Sequence, residues 1–211
     1  MHSSADIERI LKLSPVMPVV VIDDPAIAPD LARALVRGGL RVIEVTLRTP
    51  AALAAIEAIA HAVPEISVGA GTVLSVEDLR AAANAGATFA ISPGATPALL
   101  EAGVHAPIPY LPAVASASEL MLGLAHGYHC FKFFPAVPAG GTAMLKSFAG
   151  PFPQARFCPT GGITQETVGT FLKLGNVLCA GGSWLSPAEA LAARDWARIE
   201  ALAARAAASR T

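Results

Sequence analysis

One lysine has the surroundings of a nucleophile. The run His129-Cys130-Phe131-Lys132-Phe133-Phe134-Pro135 sets an amine between aromatics, and on a strand such neighbours point to opposite faces. If Phe131 and Phe133 meet outer helices, Lys132 faces the interior. An ammonium there loses hydration, which favours the neutral amine that adds to carbonyl carbon. The other three lysines, Lys12, Lys146 and Lys173, fall on or beside predicted helices or in the N-terminal segment. The competing reading is a lysine that snorkels to solvent from a sheet edge.

A second strand carries the partner groups. In Ile43-Glu44-Val45-Thr46-Leu47-Arg48 the apolar residues share one parity, and Glu44, Thr46 and Arg48 share the other. A carboxylate and a guanidinium therefore point inward, towards the top end where barrel chemistry occurs, unless they form a structural ion pair. Thr160-Gly161-Gly162 and Gly181-Gly182-Ser183 offer backbone amides and hydroxyls that can approach a phosphate, although glycine pairs also serve tight turns. In Gly69-Ala70-Gly71-Thr72 the small residues leave space, and the Thr72 hydroxyl can reach a substrate.

The elements that would position these groups alternate along the chain. Strands are predicted at Met17–Ile22, Val42–Leu47, Ile66–Ala70, Thr88–Ser92, Ile108–Leu111, His129–Phe134, Ala155–Cys158 and Val177–Ala180. Helices are predicted at Ala26–Arg37, Ala51–Ala62, Val76–Ala85, Pro97–Ala102, Ala117–Ala125, Thr142–Phe148, Gln165–Leu174 and Pro187–Ala208. Ser75 with Asp78, Ser116 with Glu119, and Ser186 with Glu189 have capping-box spacing. Thr49-Pro50 and Thr96-Pro97 read as caps before a first-turn proline, and Gly39, Gly86, Gly127 and Gly175 as helix stops. Such alternation implies parallel strands with right-handed crossovers, and eight repeats close a (β/α)8 TIM barrel. An open doubly wound sheet fits less well, because Val21-Ile22-Asp23-Asp24 stands where a glycine-rich turn would be. The expectation is an α/β barrel forming one domain over residues 1–211. Residues 1–14 form a short helical segment whose Ile7, Ile10 and Leu11 cap the lower end.

Composition excludes several classes. The 211 residues are 54% hydrophobic and 15% charged, with formal net charge −1. That balance argues against disorder and against a nucleic-acid partner. The uncharged run 81–100 is interrupted by Asn84, Gly86, Pro93, Gly94 and Pro97, so no membrane span is expected. The acidic N-terminus does not read as a signal peptide, and three unpaired-looking cysteines fit a reducing cytoplasm. His61, His105, His126 and His129 lack metal-ligand spacing, so no metal is expected. Cys130, Cys158 and Cys179 read as small buried residues, and Trp184 and Trp196 as packing or interface groups.

Taken with Ile91-Ser92-Pro93-Gly94, Cys158-Pro159-Thr160-Gly161-Gly162-Ile163 and Gly181-Gly182-Ser183-Trp184, these motifs resemble the 2-keto-3-deoxy-6-phosphogluconate aldolase family over nearly the whole chain. The resemblance implies Lys132 as the Schiff-base lysine and Glu44 as general acid/base. It implies Arg48 and Thr72 at the pyruvyl carboxylate, Pro93 and Phe134 lining the pyruvyl pocket, and Gly161, Gly162, Gly182 and Ser183 at the phosphate, where Thr160 adds a hydroxyl. It further implies a metal- and cofactor-independent homotrimer, and in some relatives cleavage of 4-hydroxy-2-oxoglutarate. One departure is Ala113, where relatives commonly carry glycine. The residues by themselves leave open a phosphogalactonate-type substrate, a phosphosugar isomerase or epimerase, and a non-catalytic phosphate-ligand binder.

Overall fold

The protein is described by a computed structural model covering residues 4–210; Met1, His2, Ser3 and Thr211, which the one-domain expectation also spans, lie outside the described residues. The strands are β1 (Val16–Val20), β2 (Val42–Thr46), β3 (Ser67–Gly71), β4 (Phe89–Ile91), β5 (Tyr110–Leu111), β6 (Ala113–Val114), β7 (Cys130–Phe133), β8 (Arg156–Pro159) and β9 (Ala180–Gly182). After α1 (Ser4–Leu11), the helices between and beyond them are α2 (Ala28–Arg37), α3 (Ala52–Ala62), α4 (Val76–Asn84), α5 (Pro97–Val104), α6 (Ala117–Ala125), α7 (Gly141–Ala149), α8 (Val168–Leu172), α9 (Ala188–Ala192) and α10 (Trp196–Ala207).

Local chemistry sets many of these boundaries. Ser75 and Ser116 form complete capping boxes with Asp78 and Glu119, and Thr96 accepts from Leu99 N–H to open α5. Gly39, Gly86 and Gly127 have positive φ, as the helix stops require. Other signals went elsewhere. Thr49 does not cap α3; its hydroxyl donates to the Ile22 carbonyl instead. Ser186 makes no box with Glu189, because α9 begins at Ala188 after Pro187 without a side-chain cap. Gly175 is not left-handed. The predicted C-terminal helix is two helices, separated where Arg194 takes φ 52° and Asp195 accepts from Arg198 N–H to start α10.

Every observed strand pair is parallel, in an α/β fold of two curled sheets. One has the order β5-β4-β3-β2-β1-β9, the other β6-β7-β8. They share the continuous segment 110–114, in which Pro112 lacks the N–H that would continue the ladder. At the opposite margin, parallel bridges Phe157–Val177 and Thr160–Gly181 join β8 to the chain around β9. The last strand therefore lies three residues later than predicted at its start, and Gly181 and Gly182 belong to it rather than to a following loop.

Side-chain parity sorts two cores. Val16, Val20, Ile43, Val45, Phe131, Phe133 and Phe157 face the helices. Met17, Val42, Phe89, Ile91, Leu111, Cys130 and Cys158 pack together on the inner face, with Ile7 and Leu11 of α1 closing the lower end. The N-terminal helix thus sits where its apolar spacing predicts. Among the described residues, no helix is long and apolar enough to cross a membrane.

Candidate active site

Lys132 comes from β7 and Glu44 from β2, 88 residues apart in sequence. Lys132 Nζ lies 2.8 Å from Glu44 Oε1 and 3.2 Å from Oε2. Both side chains are almost wholly removed from solvent, at 6% and 2% exposure. Their meeting follows from parity. Phe131 and Phe133 pack outward, which turns the intervening amine inward, and Ile43 and Val45 do the same for the carboxylate. The ring of Phe134 lies 5.4 Å from Nζ. The amine is therefore paired as well as desolvated, and a proton can pass along its hydrogen bond. Ala113 is the cross-strand neighbour of Lys132 and is buried beside it.

Arg48 and Thr72 are brought together next to this pair's strands. Arg48 Nε donates to Thr72 Oγ1 at 3.3 Å, and Arg48 is exposed beyond the end of β2. Thr72 has φ 58°, an uncommon conformation for a β-branched residue and a mark of local strain. The left-handed backbone sets the Thr72 hydroxyl against the Arg48 guanidinium. Pro93 and Phe134 are both partly buried, after β4 and β7 respectively.

The glycine motifs differ in kind. Gly161 and Gly162 have φ 105° and 77°, and a methyl group on Gly162 would lie 2.8 Å from Val137 Cβ. Their carbonyl neighbours are used, with Val137 N–H donating to Gly161 O and Ala136 N–H to Thr160 O. These two left-handed glycines turn the chain out of the β8 ladder just past the Thr160–Gly181 bridge. Gly182 is part of β9 instead, and the Trp184 ring occupies the place of its missing side chain. Thr160, 6% exposed, is held beside Gly181. Ser183 is exposed and lines a cavity of about 570 Å³ with Val19, Val21, Asp23, Ile27 and Arg194.

The sequence reading did not include that cavity's β1 side. Val19 and Val21 share the inner parity of Met17, and this alternation was the available signal. It also missed the buried Ser92–Tyr110 hydroxyl pair at 2.5 Å, which ties the end of β4 to β5. Burial pushes the Tyr110 hydroxyl up, and the Ser92 hydrogen bond only partly offsets this. All three cysteines are buried and unbridged, and burial raises the Cys130 thiol to about 12. Trp184 and Trp196 pack against the outer core. Among the described residues, no group of His, Cys, Asp and Glu could hold a metal ion.

Comparison with known proteins gives this arrangement a lineage. The family model "KDPG and KHG aldolase" matches residues 7–202. A "KHG/KDPG aldolase" of Escherichia coli K12 is 54% identical over 196 residues, covering 93% of this chain and 92% of its own. The crystal structure of KDPG aldolase from Legionella pneumophila, with pyruvate captured as a covalent carbinolamine, superposes with TM-score 0.93 at 48% identity, covering 95% of this chain and 98% of that one. The 2-keto-3-deoxy-6-phosphogluconate aldolase of Zymomonas mobilis ZM4 with 3-phosphoglycerate gives TM-score 0.93 at 50% identity, covering 98% and 97%. The chain belongs to the KDPG and KHG aldolase family.

Proposed function

We propose that this protein is a class I aldolase that cleaves 2-keto-3-deoxy-6-phosphogluconate to pyruvate and glyceraldehyde 3-phosphate. The observation that carries the reading is the buried 2.8 Å contact between Lys132 Nζ and Glu44. Proton transfer along it turns the ammonium–carboxylate pair into an amine and a carboxylic acid, which frees the nitrogen lone pair. Lys132 then adds to the C2 ketone. Glu44 returns the proton to the departing oxygen, and loss of water leaves a protonated imine.

That cation is an electron sink for the C3–C4 bond. Glu44, again a carboxylate, takes the C4 hydroxyl proton directly or through water, and the aldehyde leaves. The enamine is protonated at C3 and hydrolysed to pyruvate. One carboxyl group thus acts alternately as acid and base. Arg48 and Thr72 hold the pyruvyl carboxylate, and Pro93 and Phe134 wall the pyruvyl pocket. Thr160, Gly161, Gly162, Gly182 and Ser183 receive the distal phosphate; binding it fixes the reacting carbons in register.

Cleavage of 4-hydroxy-2-oxoglutarate to pyruvate and glyoxylate by the same lysine is a second activity, favoured by the name of the 54% identical relative. The reading also takes the two curled sheets as one closed (β/α)8 barrel in a single domain, assembled as a cytoplasmic homotrimer. The low charged fraction, 15%, supports such an assembly, because a subunit interface tolerates few charges. Borohydride reduction in the presence of pyruvate, followed by peptide mass analysis, tests the chemistry. The adduct is expected on Lys132; absence of any adduct in an active enzyme excludes an imine mechanism. Turnover without trapping would instead indicate a phosphosugar isomerase or epimerase, and binding without turnover a phosphate-ligand binder.

A further inference from the structure

The inner positions of β3 are Gly69 and Gly71, so this strand presents no side chain to the interior at the height of the ion pair. The space is filled from both neighbours. A methyl group built on Gly69 would run into the Phe89 ring of β4, at 2.5 Å from Cδ2. One built on Gly71 would overlap Glu44 Oε1 and lie 2.6 Å from Glu44 Cγ and 2.7 Å from Cδ. Contacts this short with carbon deep in the side chain cannot be relieved by rotating the carboxylate alone. Neither glycine needs its φ freedom, since neither has a positive φ. What Gly71 supplies is room.

We propose that Gly71 is a positioning residue for the reaction: its bare Cα is the surface against which the Glu44 side chain lies. In that posture the carboxylate reaches across to Lys132 Nζ instead of turning up towards the mouth. The inference rests on Glu44 being the acid/base of the proposed mechanism. A Cβ at position 71 leaves Lys132 in place but moves the proton carrier. Glu44 serves both imine formation and cleavage. Trapping with excess pyruvate and borohydride requires only that the imine form during the incubation, whereas kcat reports every proton transfer of each turnover. The two readouts therefore distinguish an amine left in place from a carboxylate moved away.

The test compares Gly71→Ala, Glu44→Gln, Gly71→Ala/Glu44→Asp and the control Gly69→Ala, whose methyl meets Phe89. For Gly71→Ala the expected result is retained trapping on Lys132, kcat lowered by roughly 10²-fold or more, and an altered pH profile of kcat. Shortening the carboxylate in the Asp double variant recovers part of that loss, and Gly69→Ala keeps the wild-type pH profile. Wild-type kcat and pH profile in Gly71→Ala, with Glu44→Gln slow, overturn this inference alone. Wild-type turnover in Glu44→Gln overturns the mechanism on which it rests. Should Gly71→Ala fail to fold, it is made in the Glu44→Ala/Lys132→Met background, which removes the obstructing side chain without orphaning the ammonium: folding as stable as that background supports the steric relation, and failure there refutes it.

Discussion

Replacing Lys132 by methionine removes the ammonium but keeps a chain of similar length in the same slot. At 2.8 Å the pair attracts by about 6 kcal/mol at an effective dielectric near 20. Burying each ion costs several kcal/mol, so the intact pair contributes little net stability. Breaking it is different, because Glu44 is 2% exposed and retains the full desolvation cost without a partner. Lys132→Met should therefore lower stability by about 3–5 kcal/mol. For a chain of this size that is a fall in Tm of roughly 6–20 °C. Glu44→Met should cost a comparable amount by orphaning the ammonium, whereas the double variant, with both charges gone, should return to within about 2 kcal/mol of the parent. Urea denaturation of the four proteins at one pH gives the cycle directly. Single variants that each cost under about 1 kcal/mol, with an additive double, would refute the claim that the two charges share one desolvated site.

Thr72→Gly should relieve the φ 58° backbone and raise stability by about 1 kcal/mol. It should also remove the hydroxyl partner of Arg48 and raise KM for the keto acid, as thermal melts and steady-state kinetics would check. Gly162→Ala, at φ 77° and against Val137, should lower kcat/KM for phosphorylated substrate more than tenfold. An unphosphorylated keto acid should lose far less, and equal losses would argue against the phosphate assignment. The Cys130 thiol, raised to about 12 by burial, stays protonated in the fold while an unfolded thiol ionises near pH 9. The native state then holds the extra proton, so stability is intact below pH 9 and declines above it by up to about 1.4 kcal/mol per pH unit. Buried Tyr110 and Tyr128 add to the decline at higher pH. Denaturation between pH 8 and 10.5 should show a shallower slope for Cys130→Ala.

Much of the site was legible because parity is strict on a strand. Phe131 and Phe133 announce the inward turn of Lys132, and Ile43 and Val45 that of Glu44. What parity leaves out is height along the strand and the curl of the sheets, so the contact of one amine with one carboxylate emerges only once the β1-β2-β3 register and the β6-β7 register face each other across the interior. The mistaken end of β9 has a packing cause. Gly181 and Gly182 look like loop residues, yet they are strand residues whose side-chain space is taken by Thr160 and Trp184. Arg194 breaks the last helix with neither glycine nor proline to mark the place, although Asp195 three residues before Arg198 carried the signature of a new cap. Thr49 and Ser186 show the limit of capping motifs: the Thr49 hydroxyl donates to the Ile22 carbonyl instead, and Ser186 stands one residue before the N-cap position, which Pro187 takes.

Pro112 places Lys132 and Glu44 on different sheets, the amine with β6-β7-β8 and the carboxylate with β5-β4-β3-β2-β1-β9. Neither sheet holds the amine–carboxylate contact by itself, since Lys132 belongs to β7 and Glu44 to β2. The ion pair therefore exists only once the two sheets have docked, and it reports that docking rather than the formation of either sheet alone.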